Sequence, residues 1–128
     1  MSNKLNGKTV VITGASSGIG AAMAREYAAM GAKVVLGARQ ADKLAAMCRE
    51  IEAKGGKAAW SECDVTKVED CQRLMQTAVD TYGGIDVLIC NAGISMRALF
   101  DDVDLSVLHR LMDVNFWGTV YCTKFALP

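Results

Sequence analysis

Residues 13–20 read TGASSGIG, directly after the β-branched run Val10-Val11-Ile12 and directly before an alanine-rich, helix-prone stretch. Strand, glycine-rich turn and helix in that order aim the free N–H groups of a helix N-terminus at whatever lies over the turn, and a phosphate suits them. Each glycine has a physical task available to it. One permits a backbone turn that other residues resist, one lets the main chain come close to an anion, and one lets the helix pack on the strand. The spacing is G-x-x-x-G-x-G, not G-x-G-x-x-G. A βα loop that needs glycines only in order to turn would look much the same.

Outward from this turn the chain alternates strands and helices. Residues 8–13 form a strand whose apolar residues Val10, Val11 and Ile12 are consecutive, as in a strand buried on both faces. A helix over residues 18–30 spaces Ile19, Met23, Tyr27 and Met30 along one face, and Gly31 ends it. Val34-Val35-Leu36 forms a second strand. A helix over 42–54, with Leu44, Met47, Cys48 and Ile51 on one stripe, stops at Gly55-Gly56. A short strand over 57–63 precedes Thr66-x-x-Glu69, a capping-box pattern for a helix whose face is Val68, Cys71, Leu74, Met75, Ala78 and Tyr82. Gly83-Gly84 ends that helix, residues 85–90 form an apolar fourth strand, and a longer helical region is expected over about 105–127. This β-α-β-α-β-α-β-α order implies an α/β fold, a doubly wound parallel sheet with right-handed crossovers and helices on both faces.

Composition narrows the function classes. The 128 residues form a single domain (1–128), 52% apolar and 22% charged, as in a globular protein. Formal net charge is zero, so no basic footprint points to nucleic acid. Residues 1–64 carry nine Lys/Arg against six Asp/Glu and residues 65–128 carry five against eight, a positive surplus in the half with the glycine turn. The five cysteines at 48, 63, 71, 90 and 122 show no Cys-x-x-Cys spacing and no grouping with the lone His109. They read as small buried hydrophobes in a reducing compartment, with no metal site. No signal-peptide pattern or membrane-length apolar run is visible, and a cytoplasmic location is the expectation.

Three further positions carry chemistry. Arg39 follows the second strand in Leu36-Gly37-Ala38-Arg39, with no carboxylate before Asp42. At that place in a dinucleotide-binding fold an acidic residue bonds a ribose 2′-hydroxyl, whereas an arginine accommodates a 2′-phosphate. A solvated arginine at a helix entrance is the plainer alternative. Asp64 ends the third strand, where its carboxylate either accepts from an adenine amino group or helps start the next helix. Asn91-Ala92-Gly93 closes the fourth strand, either leaving room for a ligand beside the topological switch point or making an ordinary turn.

Taken together, TGASSGIG, Asp64, Asn91-Ala92-Gly93 and Asp113-Val114-Asn115 occur in the order found in the short-chain dehydrogenase/reductase family, which nearly the whole chain resembles. The resemblance implies a Rossmann-like sheet of strand order 3-2-1-4, truncated after the fourth strand and the long helix that follows. It implies that Gly14, Ser16, Ser17, Gly18, Ile19 and Gly20 contact the pyrophosphate and its riboses. Arg39 would favour NADP(H) over NAD(H), and Asp64 and Val65 would hold the adenine. Asn91, Ala92 and Gly93 would line the adenosine side, and Val114 would touch the nicotinamide ribose through its backbone. Asn115 matches the family's catalytic asparagine, at a helix kink where it helps hold a proton-relay water. Read by itself it is an N-cap for a segment starting at Phe116.

The family's reaction is hydride transfer between nicotinamide and a carbonyl or alcohol substrate. A tyrosine, a lysine four residues later and a serine perform the proton chemistry. Four residues past Tyr27, Tyr82 and Tyr121 stand Gly31, Asp86 and Phe125, so no tyrosine here supplies that motif. Tyr121 and Lys124 are three apart and read as helix-surface or packing residues. The expectation is therefore the cofactor-binding half of a longer reductase, inactive alone, its apolar fourth strand left as an open edge that favours self-association. A non-catalytic NADP-binding module acting through a partner is the alternative; a doubly wound domain without nucleotide is a third. Full-length members of the family assemble as dimers or tetramers, and Phe116 and Trp117 belong either to such a surface or to the core. Met96, Arg97 and Phe100, in the stretch 95–104, do not identify a substrate.

Overall fold

A computed structural model describes residues 5–16, 18–92 and 105–126. Four parallel strands, β1 (Thr9–Thr13), β2 (Lys33–Ala38), β3 (Lys57–Glu62) and β4 (Val87–Ile89), form one sheet in the order β3-β2-β1-β4. Helices α1 (Gly18–Ala29), α2 (Ala41–Ala53) and α3 (Val68–Tyr82) make the crossovers. After β4 come α4 (Leu105–Met112), a π-helical turn (Asp113–Trp117) and α5 (Gly118–Ala126). This is the doubly wound order expected of the alternating pattern.

The consecutive apolar residues of β1 are explained by two cores, one on each face. Val10 and Ile12, with Val34 and Leu36 of β2, pack against α1 and α2 through Ala24, Ala28, Leu44, Met47 and Ile51. Val11 and Val35 point the other way, onto Cys71, Leu74, Met75 and Ala78 of α3 and Cys122 of α5. The register sets Val11 opposite both Val35 and Leu88, so one strand feeds both sides of the molecule. Gly37 leaves room for Leu74, because a Cβ at position 37 would stand 2.6 Å from its Cδ2.

The structure corrects several local expectations. In α1 the buried face is Gly20, Ala21, Ala24 and Ala28, while Ile19 is 73% exposed and Met23 and Tyr27 are half-buried. Small side chains let this helix approach the sheet closely, and the larger apolar residues are rotated to the flank. The capping box at 66–69 does not form. Thr66 instead donates both its N–H (3.0 Å) and its hydroxyl (2.7 Å) to Asp64 Oδ1, and α3 starts after Lys67 without a side-chain cap. Asp70 reaches back to accept from the Asp64 N–H at 3.0 Å. Val68 is exposed, whereas the rest of the expected α3 face is buried or, at Tyr82, partly buried. The fourth strand is three residues long rather than six. The longer helical region expected over 105–127 is present as α4 and α5, which continue one another through the π turn.

Candidate functional site: the cavity at the carboxyl edge of the sheet

All four strands point their carboxyl ends at one edge, and the residues following β1, β2, β3 and β4 meet there around a cavity of about 650 Å³. Gly14 and Ser16 contribute from the glycine turn, Arg39 from the end of β2, Asp64 and Val65 from the end of β3, Asn91 and Ala92 from the end of β4, and Val114 from the π turn. Eight residues singled out from separate stretches of sequence thus line one space. Gly18, Ile19 and Gly20 stand beside it in the first turn of α1. Ser17 and Gly93 lie outside the described residues, as does the stretch 93–104.

The three glycines divide the work. Gly14 and Gly18 adopt positive φ of 63° and 60°, where a β-carbon is strained. Gly14 is also crowded, for a Cβ there would lie 2.8 Å from the Cα of Ala92. Gly20 has ordinary backbone angles but no room, since a Cβ would meet the carbonyl of Gly14 and the side-chain amide of Asn91. Thr13, 2% exposed, ties this turn to β4: its hydroxyl oxygen accepts from the N–H groups of Asn91 and Ala92, both at 3.0 Å. Asn91 Nδ2 donates to the Gly14 carbonyl at 3.2 Å.

At the β2 end, Arg39 is exposed and makes no ion pair among the described residues. The Ser16 hydroxyl donates to Gln40 Oε1 at 3.0 Å, so the glycine turn and the loop carrying Arg39 are joined. At the β3 end burial would raise the Asp64 carboxyl. The two Thr66 hydrogen bonds, with the charges of Arg39 and Lys67, outweigh burial and hold it below the usual carboxylate range. Asp64 is therefore a carboxylate at neutral pH. Its Oδ1 accepts from Thr66, so Asp64 organises the loop before α3 while also lining the cavity.

Cys63, Cys71 and Cys122 share the core cluster beneath this end of the sheet, and the Cys71 thiol donates to the Val65 carbonyl at 3.6 Å. All are buried, and the five cysteines are free. The hydrogen bonds to Cys71 and burial push the Cys63 and Cys122 thiols up. Burial, with Glu52 adding to it, raises Cys48 to about 11. No group of three or more His, Cys, Asp or Glu side chains suited to a metal ion occurs among the described residues.

Asn115 lies inside the π turn rather than at a helix start, so the N-cap reading gives way to the kink expected from the family. In a π turn one residue is added to the helical cycle, and such turns recur at functional sites. The backbone N–H of Gly118 bonds the Asp113 carbonyl, spanning the turn. Sequence reading missed Thr13, Gln40, Cys63 and Arg110, the last three of which also line the cavity. Gln40 and Cys63 adjoin residues that were recognised; Arg110 had no local signal, because only the path of α4 brings it to the cavity.

The sequence model of the short chain dehydrogenase family matches residues 8–128. The chain belongs to this family. Among its relatives, an uncharacterized oxidoreductase of Bacillus subtilis is 44% identical over 124 residues, covering 97% of this chain and 35% of its own length. An 11-beta-hydroxysteroid dehydrogenase of Pinus massoniana is 43% identical over 126 residues, again 97% of this chain and 35% of the relative. A short-chain dehydrogenase/reductase from Mycobacterium marinum superposes with a TM-score of 0.91 at 38% identity, over 98% of this chain and 53% of that one. An alcohol dehydrogenase from Thermococcus sibiricus, solved with 5-hydroxy-NADP, gives a TM-score of 0.90 at 32% identity, over 94% of this chain and 52% of that one. The chain thus spans a little over a third of these curated relatives and about half of these solved ones. No helix among the described residues is long and apolar enough to cross a membrane.

Proposed function

We propose that this chain is the NADP(H)-binding half of a short-chain oxidoreductase acting on a carbonyl or alcohol substrate. The observation that carries the reading is the single cavity shared by the glycine turn, Arg39, Asp64 and the β4 end. The residues fit such a cofactor. Gly14 and Gly18 take positive φ and Gly20 lets the turn lie close against α1, which brings the turn over the α1 N-terminus and suits a pyrophosphate there. Arg39, at the cavity wall and in no ion pair among the described residues, suits a 2′-phosphate, and the Ser16–Gln40 bond holds polar atoms beside it. The NADP analogue bound by the Thermococcus sibiricus relative supports this choice.

In this assignment Gly14, Ser16, Ser17, Gly18, Ile19 and Gly20 hold the pyrophosphate side, and Asp64 and Val65 the adenine. Asn91, Ala92 and Gly93 form the adenosine wall, and Val114 meets the nicotinamide ribose. The bound nicotinamide supplies a hydride donor or acceptor. The chain's own part is to bind and orient it, with Asn115 in the widened π turn offering polar groups to a water. Lacking Tyr-x-x-x-Lys, the 128 residues alone bind cofactor without turning it over. Phe116 and Trp117, 49% and 44% exposed, are not core and suit a subunit surface of a homodimer or homotetramer. Five free cysteines suit a reducing cytoplasm.

Calorimetric titration of the chain with NADP+ and NAD+ tests this reading. Arg39→Ala removes one charge-assisted contact of about 1.5–3 kcal/mol, so NADP+ weakens roughly 10- to 150-fold and NAD+ stays nearly constant. Equal weakening of both cofactors sinks the 2′-phosphate role.

A further inference from the structure

A second cavity, of about 260 Å³, opens at the amino edge of the sheet, between the last turns of α1 and α2. It shares no residue with the cavity at the carboxyl edge. Its floor is apolar: Ala28 and Ile51 are buried, and Ala29 adds an exposed methyl from α1. Gly56 keeps the floor open, for a Cβ there would stand 2.8 Å from Ile51 Cγ2 and 3.6 Å from the Ala28 Cβ. The rim is charged, with Arg25 and Lys54 set against Glu50, two cations to one carboxylate. The Arg25 Nε–H donates to Glu50 Oε2 at 3.2 Å, which holds the guanidinium in place. Among the described residues its two Nη groups make no hydrogen bond. Lys54 Nζ is 3.7 Å from Glu50 Oε1, an ion pair too long for a hydrogen bond. Cationic donors are thus in surplus beside an apolar floor.

We propose that this groove binds a small aliphatic monocarboxylate, its hydrocarbon body on Ala28, Ala29 and Ile51 and its carboxylate on the unused Nη groups of Arg25, with Lys54 beside it. The cavity is smaller than the roughly 300–1,000 Å³ of sites for drug-sized ligands, so the acid is a short one. A planar carboxylate matches the fork of a guanidinium. The charge balance selects a monoanion. A phosphate dianion would face Glu50 and the carbonyl ends of α1 and α2, which both repel it. None of this depends on what fills the cavity at the carboxyl edge, because the two share no residue.

The test is titration of the chain with hexanoate, acetate and 1-hexanol, followed by amide nitrogen–proton shifts. Hexanoate should shift the amides of residues 25–29 and 50–56 saturably, with a Kd on the order of 1 mM. Acetate keeps the charge and loses the body, and should bind at least about 10-fold more weakly, each buried methylene being worth about 4-fold. Hexanol keeps the body and loses the charge, and should also bind more weakly. Arg25→Gln should weaken hexanoate about 2- to 5-fold, the range for an exposed ion pair, and leave hexanol unchanged. Ala29→Leu, which fills the groove from an exposed position, should abolish the shifts. Hexanol binding as tightly as hexanoate overturns the proposal, as does full affinity in Arg25→Gln or Ala29→Leu. Shifts that never saturate, or that centre on other residues, also overturn it. Saturating NADP+ should leave hexanoate binding intact, and displacement overturns the proposal by placing the acid in the other cavity. A chain that binds hexanoate here but no dinucleotide refutes the cofactor assignment alone. Both substitutions are at exposed positions, and unchanged urea midpoints check that the fold is kept.

Discussion

The side-chain amide of Asn91 donates to the main-chain carbonyl of Gly14 across 3.2 Å, joining the end of β4 to the glycine turn after β1. These residues are 77 apart in sequence. Together with the Thr13 hydroxyl, which accepts from the N–H groups of Asn91 and Ala92, they hold the turn in one shape. Asn91→Ala leaves the partly buried Gly14 carbonyl without this donor and should destabilise the fold by about 1 kcal/mol. Asn91→Asp should cost more, since a carboxylate faces a carbonyl oxygen. Urea denaturation at pH 7 ranks the three proteins. A ranking with the aspartate variant as stable as the parent would falsify this account of Asn91.

The glycines of the turn should respond unequally to alanine. At Gly18 a Cβ meets nothing within 4 Å, and the cost is that of the left-handed backbone alone, about 1–2 kcal/mol. At Gly20 the backbone is unstrained but a Cβ runs into the Gly14 carbonyl and Asn91. Gly20→Ala must push the glycine turn away from α1, so it should abolish nucleotide binding, while Gly18→Ala retains part of it. Crystal structures and titrations of both variants check the contrast, and equal behaviour contradicts it.

Asp64 should leave a signature in acid. Its folded pKa is lowered, so the unfolded chain binds the proton more readily, and protonation favours unfolding. The stabilisation is complete above the ordinary Asp value of about 3.9 and is lost as pH falls through the lower folded value. Asp64→Asn removes this contribution at high pH and makes the acid limb shallower. Urea midpoints measured from pH 6 to pH 2.5 test the sign. Parallel profiles for the two proteins would show that Asp64 is not perturbed.

Thiol chemistry should separate one cysteine from four. Cys48, Cys63, Cys71 and Cys122 are buried, whereas Cys90 is half-buried just past β4, the outermost strand of the described sheet. Brief iodoacetamide treatment of the native chain should label Cys90 first and the others only on the timescale of unfolding, with all five reacting in guanidinium. Early labelling of Cys71, read by peptide mass mapping, contradicts the packing of α5 against α3.

Much of the architecture was written locally. Val10-Val11-Ile12 before a glycine turn and the helix-ending Gly31, Gly55 and Gly83 mark where each element begins and ends. Alternation of strand and helix then leaves few topologies. Errors arose where long-range packing outweighs local pattern. The Ile19 stripe lost to the alanine face of α1, because closeness to the sheet rewards small side chains. The Thr66 capping box lost to Asp64, a competing acceptor two residues away. The π turn in the last helical region has no local marker such as proline, and only the resemblance to the family placed a kink at Asn115.

Return to the glycine turn shows the same division. Sequence alone determined that residues 13–20 form a strand-turn-helix junction and that Arg39, Asp64 and Asn91 each follow a strand. It did so because backbone preference and hydrophobic period are properties of neighbouring residues. Tertiary structure decided that these strand ends share one cavity, that Gly20 is required by Asn91 and Gly14 rather than by its own backbone angles, and that Arg110 reaches the cavity mouth. Those facts depend on which distant segments the parallel sheet sets side by side, and no local preference encodes that distance.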